Sequence, residues 1–172
     1  MVKKASLQRS GAAYQTILDK WPVPYEVLSI PTRFGATTVV ACGPFQSPPV
    51  LLLHPGSDQA PVWFRNVEAL SRSHRLYAVD LIRELNKRIP SHPIRSHGKF
   101  MDWMADLFDG LDIESADLVS SSNGWFFALE TAMYLPGRAR KSALNGAPDG
   151  RPFTRGNNPP AAGISILCPS AA

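Results

Sequence analysis

The feature that most constrains the fold of this chain is a short apolar run that turns directly into a second, helix-length apolar segment. The run Ala116–Ser120 ends in small residues, and Phe126–Leu129 follows almost at once. The turn between them holds Ser122, with Ser120 two positions before it and Gly124 two positions after it. Small residues are needed there because the start of the helix passes close to the strand. A sharp strand-to-helix turn exposes a serine hydroxyl at the carboxyl end of the strand, so Ser122 is a candidate nucleophile. An ordinary strand–helix junction rich in serine and glycine would have the same composition.

The rest of the chain predicts where this turn lies in the fold. An opening hairpin is predicted from Tyr25–Pro31 and Ala36–Cys42, because both segments are rich in β-branched residues and alternate in polarity. Strands and helices then alternate. The predicted strands are Pro49–His54, Arg75–Asp80, Ala116–Ser120 and Lys141–Gly146, and the predicted helices are Val62–Ser71, Phe100–Leu111 and a segment ending near Tyr134. This order predicts an α/β fold with a mostly parallel sheet and helices on both faces, opened by an antiparallel hairpin.

Four residues that could contribute to a binding or catalytic site lie at the carboxyl ends of these predicted strands. They are His54, Asp80, Ser122 and Gly146. Ligands of open α/β sheets bind at the carboxyl ends of the strands. We therefore expect Ser122 to face a pocket rather than the core.

Length and composition predict one globular domain with two flanking segments. The chain has 172 residues, of which 44% are hydrophobic and 19% are charged, and this length is enough to bury a core. Residues 1–24 are predicted to be a peripheral lead-in with a short helix at Tyr14–Trp21, and residues 25–149 to form the domain. Residues 150–172 are rich in proline and glycine and are predicted to be an irregular, poorly ordered tail.

Charge and cysteine content argue against several classes of partner. The formal net charge is only +4, and no basic segment is dense enough to predict nucleic-acid binding. The two cysteines, Cys42 and Cys168, form no CxxC or metal-ligand spacing, so we expect a reducing compartment, no metal and no cofactor. No signal-peptide pattern or membrane-spanning run is present. These observations predict a cytoplasmic protein with no membrane contact.

Several segments carry a family resemblance when they are taken in order. They are Val50–Gly56, Trp63 with Asn66, Leu70 and Ser71, Tyr77–Asp80, Asn86–Pro90, Trp103–Leu111, Leu118–Leu129 and Ser142–Pro148. Together they resemble the N-terminal half of an α/β-hydrolase of the esterase-like and haloperoxidase-like kind. The resemblance covers Tyr25 to Pro148.

The resemblance implies a serine hydrolase that acts on a small ester or related acyl substrate. Ser122 would attack the carbonyl carbon. The oxyanion would be held by the backbone N–H of Asn123 and by a second N–H from the loop after His54, at Gly56 or Ser57. His54 and Gly124 would have structural roles beside the site. Two departures from the family pattern are Pro55, where glycine is usual, and Ser120 in place of the first glycine of the elbow motif.

The catalytic partners of Ser122 are the weak point of the resemblance. The family triad follows the chain order serine, then acid, then histidine, and no histidine follows Ser122 in this sequence. The carboxylates after Ser122 are Glu130, which we expect on the helix surface, and Asp149. Asp149 is the candidate acid, although its Pro-Asp-Gly context also fits an ordinary turn. A base could come from His92 or His97 in the long predicted loop after Asp80.

A simpler expectation is that the chain is cut short soon after Asp149, where the composition shifts. The strand Lys141–Gly146 would then be an exposed apolar edge, which predicts marginal stability or self-association. The alternative function is a catalytically inactive, truncated hydrolase or a small-molecule binding module. Nucleotide binding is disfavoured because neither a GxGxxG nor a Walker pattern is present.

Overall fold

The computed structural model describes residues 12–56, 58–82 and 98–146, and the backbone of His97 and of Ile166–Pro169. Ser57, His92 and Asp149 therefore lie outside the described residues. The elements, in chain order, are α1 (residues 12–18), β1 (Tyr25–Thr32), β2 (Gly35–Cys42), β3 (Pro49–Leu53), a 3-10 helix (Ala60–Arg65), α2 (Val67–Leu70), β4 (Arg75–Val79), α3 (His97–Gly110), β5 (Ala116–Ser121), α4 (Gly124–Tyr134), β6 (Ala139–Asn145) and β7 (Ile166–Pro169).

The described strands form one sheet in the order β1-β2-β4-β3-β5-β6-β7. β1 and β2 form an antiparallel hairpin, and β2 also runs antiparallel to β4. Strands β4, β3, β5 and β6 are parallel to their neighbours. The predicted fold class is therefore confirmed: an α/β fold with a mostly parallel sheet opened by an antiparallel hairpin.

The edge of the sheet next to β6 differs from the prediction. β6 was expected to be an exposed edge, but β7 pairs with it antiparallel, from Lys141 opposite Pro169 to Leu144 opposite Ile166. The sequence pattern did not predict this pairing because four residues are too few to show a clear period. The edge of β6 is thus covered, and among the described strands β7 is the outermost on this side. Self-association through a sheet edge stays a prediction.

The period-two alternation of the strands builds two cores, one on each face of the sheet. On one face Val39, Leu51 and Leu53 pack with residues of α3 and α4. On the other face Val40 and Leu52 pack with residues of α1, the 3-10 helix and α2. Helices therefore cover both faces, as predicted. The lead-in is less peripheral than expected, since Leu18 and Trp21 are buried in the second core.

The predicted helix Val62–Ser71 was wrong in form. The chain instead makes the 3-10 helix Ala60–Arg65, which has a proline in its first turn, followed by the single turn of α2. The carboxylate of Asp80 accepts a hydrogen bond from the Ala60 N–H at 2.7 Å, so the end of β4 fixes where this segment begins.

Glu130 also differs from the prediction, because it is buried in α4 rather than exposed on its surface. The helix packs against β5, β6, β3 and α3, so little of its circumference faces water. An acidic residue in a helix is normally read as solvent-facing, and this reading fails when neighbours cover a helix on several sides. None of the helices in the described residues is both long enough and apolar enough to span a membrane.

Candidate active site

The turn that contains Ser122 is as short as the sequence predicts. β5 ends at Ser121 and α4 begins at Gly124, so Ser122 and Asn123 form the whole connection. Ser122 has a φ angle of +47°, in the left-handed region that non-glycine residues seldom adopt. Its side chain is exposed, whereas Ser120 and Gly124 on either side of it are buried. A strained, exposed serine between a strand and a helix has the features expected of the candidate nucleophile elbow.

Two backbone hydrogen bonds hold Ser122 in this conformation. The Ser122 N–H donates to the carbonyl of Asn145 at 2.8 Å, and the Ser122 carbonyl accepts from the Trp125 N–H at 2.9 Å. The left-handed conformation costs roughly 1–2 kcal/mol for a residue with a side chain. Each hydrogen bond contributes about 0.5–1.5 kcal/mol. The bonds to β6 and to the first turn of α4 are therefore of the right size to offset the strain.

The flanking residues show why small side chains are required around the turn. A methyl group added at Gly124 would lie 2.4 Å from the carbonyl oxygen of Leu53, so α4 passes directly over the end of β3. Ser120 is fully buried, and its hydroxyl lies 3.4 Å from the carbonyl oxygen of Ala143 in β6. The hydroxyl that Ser120 adds in place of a glycine thus has a hydrogen-bond acceptor within reach.

His54 joins the ends of two strands. Its ring is fully buried; Nε2 accepts from the Leu81 N–H at 2.9 Å, and Nδ1 lies 2.6 Å from the carbonyl oxygen of Pro55. Because Nε2 accepts a proton donor, Nδ1 carries the hydrogen and donates it to Pro55. The only basic lone pair of the neutral ring is therefore engaged by the backbone. His54 ties the loop after β3 to the residues that follow β4.

The loop after β3 is anchored at both ends. Pro55 accepts a second hydrogen bond, from the Asp58 N–H at 3.1 Å, and Asp80 holds the far end of the loop through Ala60. Gly56 lies inside this loop and is half-buried. Ser57, the other candidate oxyanion donor, lies outside the described residues. Asn123 lies immediately before α4 with helical backbone angles, at the positive end of the helix dipole.

Comparisons with known proteins agree with this geometry. The chain is 36% identical over 132 residues to the carboxylesterase YbfK of Bacillus subtilis, a match that covers 77% of this chain and 45% of that protein. The crystal structure of that carboxylesterase superposes with a TM-score of 0.79 at 35% identity, covering 83% of this chain and 50% of the other. The chain belongs to the α/β-hydrolase fold family.

Comparisons with two further proteins agree with this family assignment. An uncharacterized carboxylesterase, nap, of Bacillus subtilis is 34% identical over 131 residues, which is 76% of this chain and 44% of that protein. An epoxide hydrolase from Vigna radiata, at 21% identity and a TM-score of 0.61 over 72% of this chain and 39% of its own, shares the fold alone. No protein-family model matches the chain. The chain spans about half the length of the curated relatives that it matches.

The described residues do not bring an acid and a base to Ser122 in the usual α/β-hydrolase arrangement. His54 is engaged by the backbone on both ring nitrogens. His74 precedes β4 at the amino-terminal end of that strand, whereas Ser122 follows the carboxyl end of the parallel strand β5. The Nδ1 of His74 lies 2.9 Å from the Ser73 hydroxyl. Asp149, His92 and the side chain of His97 lie outside the described residues, so their candidate roles stay predictions.

One contributor to the turn was missed by reasoning from the sequence. Asn145 holds the Ser122 N–H through its backbone carbonyl. A backbone acceptor has no residue-type signature, so the sequence could not single it out. The only available signal was its position before Gly146, where β6 ends.

Proposed function

We propose that this chain carries the nucleophile and oxyanion region of a carboxylesterase-like serine hydrolase that acts on a small ester or related acyl substrate. The observation that carries the proposal is the conformation of Ser122, which is exposed and held at a positive φ between β5 and α4. Support comes from relatives that are named carboxylesterases and match most of this chain.

The chemistry follows from the groups around the turn. Ser122 Oγ attacks the carbonyl carbon of the substrate, the ester C–O bond breaks, and the serine proton passes to the departing oxygen, which leaves as the alcohol. Water then hydrolyses the acyl-enzyme to the carboxylic acid and restores the Ser122 hydroxyl. The backbone N–H of Asn123 and an N–H of the loop after β3, at Gly56 or Ser57, stabilise the oxyanion. Pro55 has no N–H to donate, so the donor in that loop comes later in the chain. The N-terminus of α4 adds a positive partial charge beside the developing oxyanion.

Activation of Ser122 needs a proton acceptor. We propose Asp149 as the acid of the triad, because it follows β6. No histidine follows Ser122 in the sequence, and the lone pair of His54 is already engaged. Loss of a triad member leaves a rate that is still roughly 10³–10⁴-fold above that in water, through binding and the oxyanion hole. We therefore expect slow esterase activity from this chain by itself.

Labelling with a fluorophosphonate probe tests the proposal. The full chain is incubated with the probe, and the modified residue is located by peptide mass spectrometry. We expect modification of Ser122 and its loss in the Ser122→Ala variant. Ser121→Ala is the matched control, since Ser121 is the adjacent hydroxyl and lies in β5. Labelling of other residues alone, or no labelling over hours at high probe concentration, would refute the assignment of Ser122 as the nucleophile.

A second candidate function is a small-molecule binding module without turnover. The observation that favours it is the engagement of both His54 ring nitrogens, together with the position of His74 at the amino-terminal end of β4, opposite to the strand ends near Ser122. This alternative expects a small aryl ester to raise the melting temperature equally in the wild type and in Ser122→Ala, with no alcohol released. A cytoplasmic location and self-association remain predictions of the sequence.

A further inference from the structure

The peptide unit between Asn145 and Gly146 lies beside the backbone of Ser122. The Asn145 carbonyl accepts the Ser122 N–H at 2.8 Å. A methyl group built on Gly146 would lie 3.7 Å from the Ser122 nitrogen and 3.8 Å from its Cα. Gly146 itself has a φ of +71°. Two residues in the left-handed region therefore face each other across the ends of β5 and β6.

The conformation of Gly146 controls where the Asn145 carbonyl points. That carbonyl and the Gly146 nitrogen belong to one planar peptide unit. The φ angle of Gly146 sets the angle between this plane and the chain that follows. At the end of β6 the chain can leave the sheet at a positive φ while the carbonyl stays in line with the Ser122 N–H. A residue that avoids positive φ can remain there only under strain, which is relieved by rotation of the peptide unit.

We propose that Gly146 is a positioning residue for the nucleophile and that it acts through the Asn145 carbonyl to keep Ser122 in its left-handed conformation. The proposal rests on the function proposed above for Ser122. The reason for glycine at position 146 differs from the reason for glycine at position 124. At Gly124 an added methyl meets backbone atoms at 2.4 Å, whereas at Gly146 the nearest atoms are at ordinary contact distances. A substitution at Gly146 therefore acts through backbone conformation and not through a steric clash.

A graded series of substitutions tests this mechanism. Asparagine accepts the left-handed region more readily than alanine, and a β-branched residue is a genuine outlier there. For folded Gly146→Asn, we expect a fluorophosphonate labelling rate within about twofold of the wild-type rate. For folded Gly146→Val, we expect a labelling rate at least about tenfold lower than that of the wild type. If the effect of Gly146→Val came from a lack of space, Gly146→Asn would slow labelling as well. Near-wild-type labelling of Gly146→Asn therefore indicates a backbone effect.

Gly35→Val is the matched control for strain. Gly35 lies at the start of β2 with a φ of +114°, and an added Cβ there has no atom within 4 Å. The variant carries an unfavourable backbone conformation without touching the elbow. We expect it to lower stability and to leave labelling of the folded fraction unchanged. Equal labelling rates for the wild type and for folded Gly146→Val would overturn the proposal.

Amide hydrogen exchange provides a readout that does not depend on activity. The Ser122 amide is protected only as long as its bond to Asn145 persists, so NMR should show protection in the wild type and in Gly146→Asn. In Gly146→Val we expect protection to be lost at Ser122 and kept at Leu118, inside β5. Retained protection at Ser122 would overturn the inference. Loss of protection in a chain whose wild type is not labelled would support the inference and refute the proposed function.

Discussion

Gly124, two residues after Ser122, is a residue whose replacement the structure penalises directly. In Gly124→Ala the new methyl carbon would lie 2.4 Å from the Leu53 carbonyl oxygen and 3.0 Å from the His54 carbonyl oxygen. Leu53 is paired on both sides, with Val79 and Ser120, so the end of β3 cannot yield. The start of α4 must move instead, by about 1 Å, to reach a normal contact of roughly 3.5 Å.

The expected cost of this substitution follows from packing. Overpacking a close-packed site costs about 1–3 kcal/mol. Because the atoms that the new methyl group meets belong to the paired backbone of β3, we expect a cost near the upper end of this range. Alanine recovers up to about 1 kcal/mol of helix propensity over glycine, and less in the first turn. A net loss of about 2–3 kcal/mol in the free energy of unfolding corresponds to a fall of roughly 4–12 °C in melting temperature for a chain of this size.

Thermal and urea unfolding followed by circular dichroism measure this cost. Gly98→Ala is the matched control, because Gly98 lies in α3 and an added Cβ there has no atom within 4 Å. Gly98 also lies in the first turn of its helix, so we expect the control to gain less than about 1 kcal/mol from helix propensity. If Gly124→Ala were as stable as the wild type, the close approach of α4 to β3 would be wrong, and with it the steric explanation of the elbow.

Three further predictions concern the contacts around the site and the core. His54→Leu removes the acceptor of the Leu81 N–H and the donor to Pro55, and we expect urea unfolding to show a loss of about 2 kcal/mol. Burial alone would raise the pKa of the Asp106 carboxyl, but hydrogen bonds from the Arg33 side chain and backbone hold it below its usual value. This pair therefore stabilises the fold above about pH 4 and loses its effect as the pH falls through the lowered pKa, so Asp106→Asn should flatten the acid limb of the melting temperature. Trp103→Phe leaves the buried Thr37 hydroxyl without its donor at 2.8 Å and should cost about 1–3 kcal/mol, part of which Thr37→Val recovers.

The order of strands and helices could be predicted because it depends on local patterns. Runs such as Pro49–Leu53 are apolar along their whole length, since both faces of the strand are covered, and α3 shows one apolar stripe. The failures have non-local causes. The segment predicted as the helix Val62–Ser71 instead begins at Ala60, which is held by Asp80, distant in sequence. β7 pairs with β6 across a long separation that periodicity does not report.

In the candidate site, too, some features could be predicted from the sequence and others could not. The sequence predicted the elbow because small residues are needed at fixed spacing from Ser122, and Gly124 meets that need through its contact with β3. It did not predict what holds the Ser122 backbone, because the partners are the main-chain groups of Asn145 and Trp125. Main-chain partners place no constraint on residue type except where the backbone angle is unusual, as at Gly146.

For Ser122 as the proposed nucleophile, placement and activation are therefore separate problems in this chain. Within the described residues, the contacts that set the conformation of Ser122 lie between Leu53 and Gly146: the β3 backbone under α4, the β6 carbonyl and the first turn of the helix. None of these contacts involves a titratable group, so the conformation should be insensitive to pH. Activation does need a titratable partner. If the Ser122 amide stays protected from exchange across the range where a base would titrate while labelling rises with pH, the base acts on an elbow that is already formed. Coupled changes in both would mean that the base also helps to build the elbow.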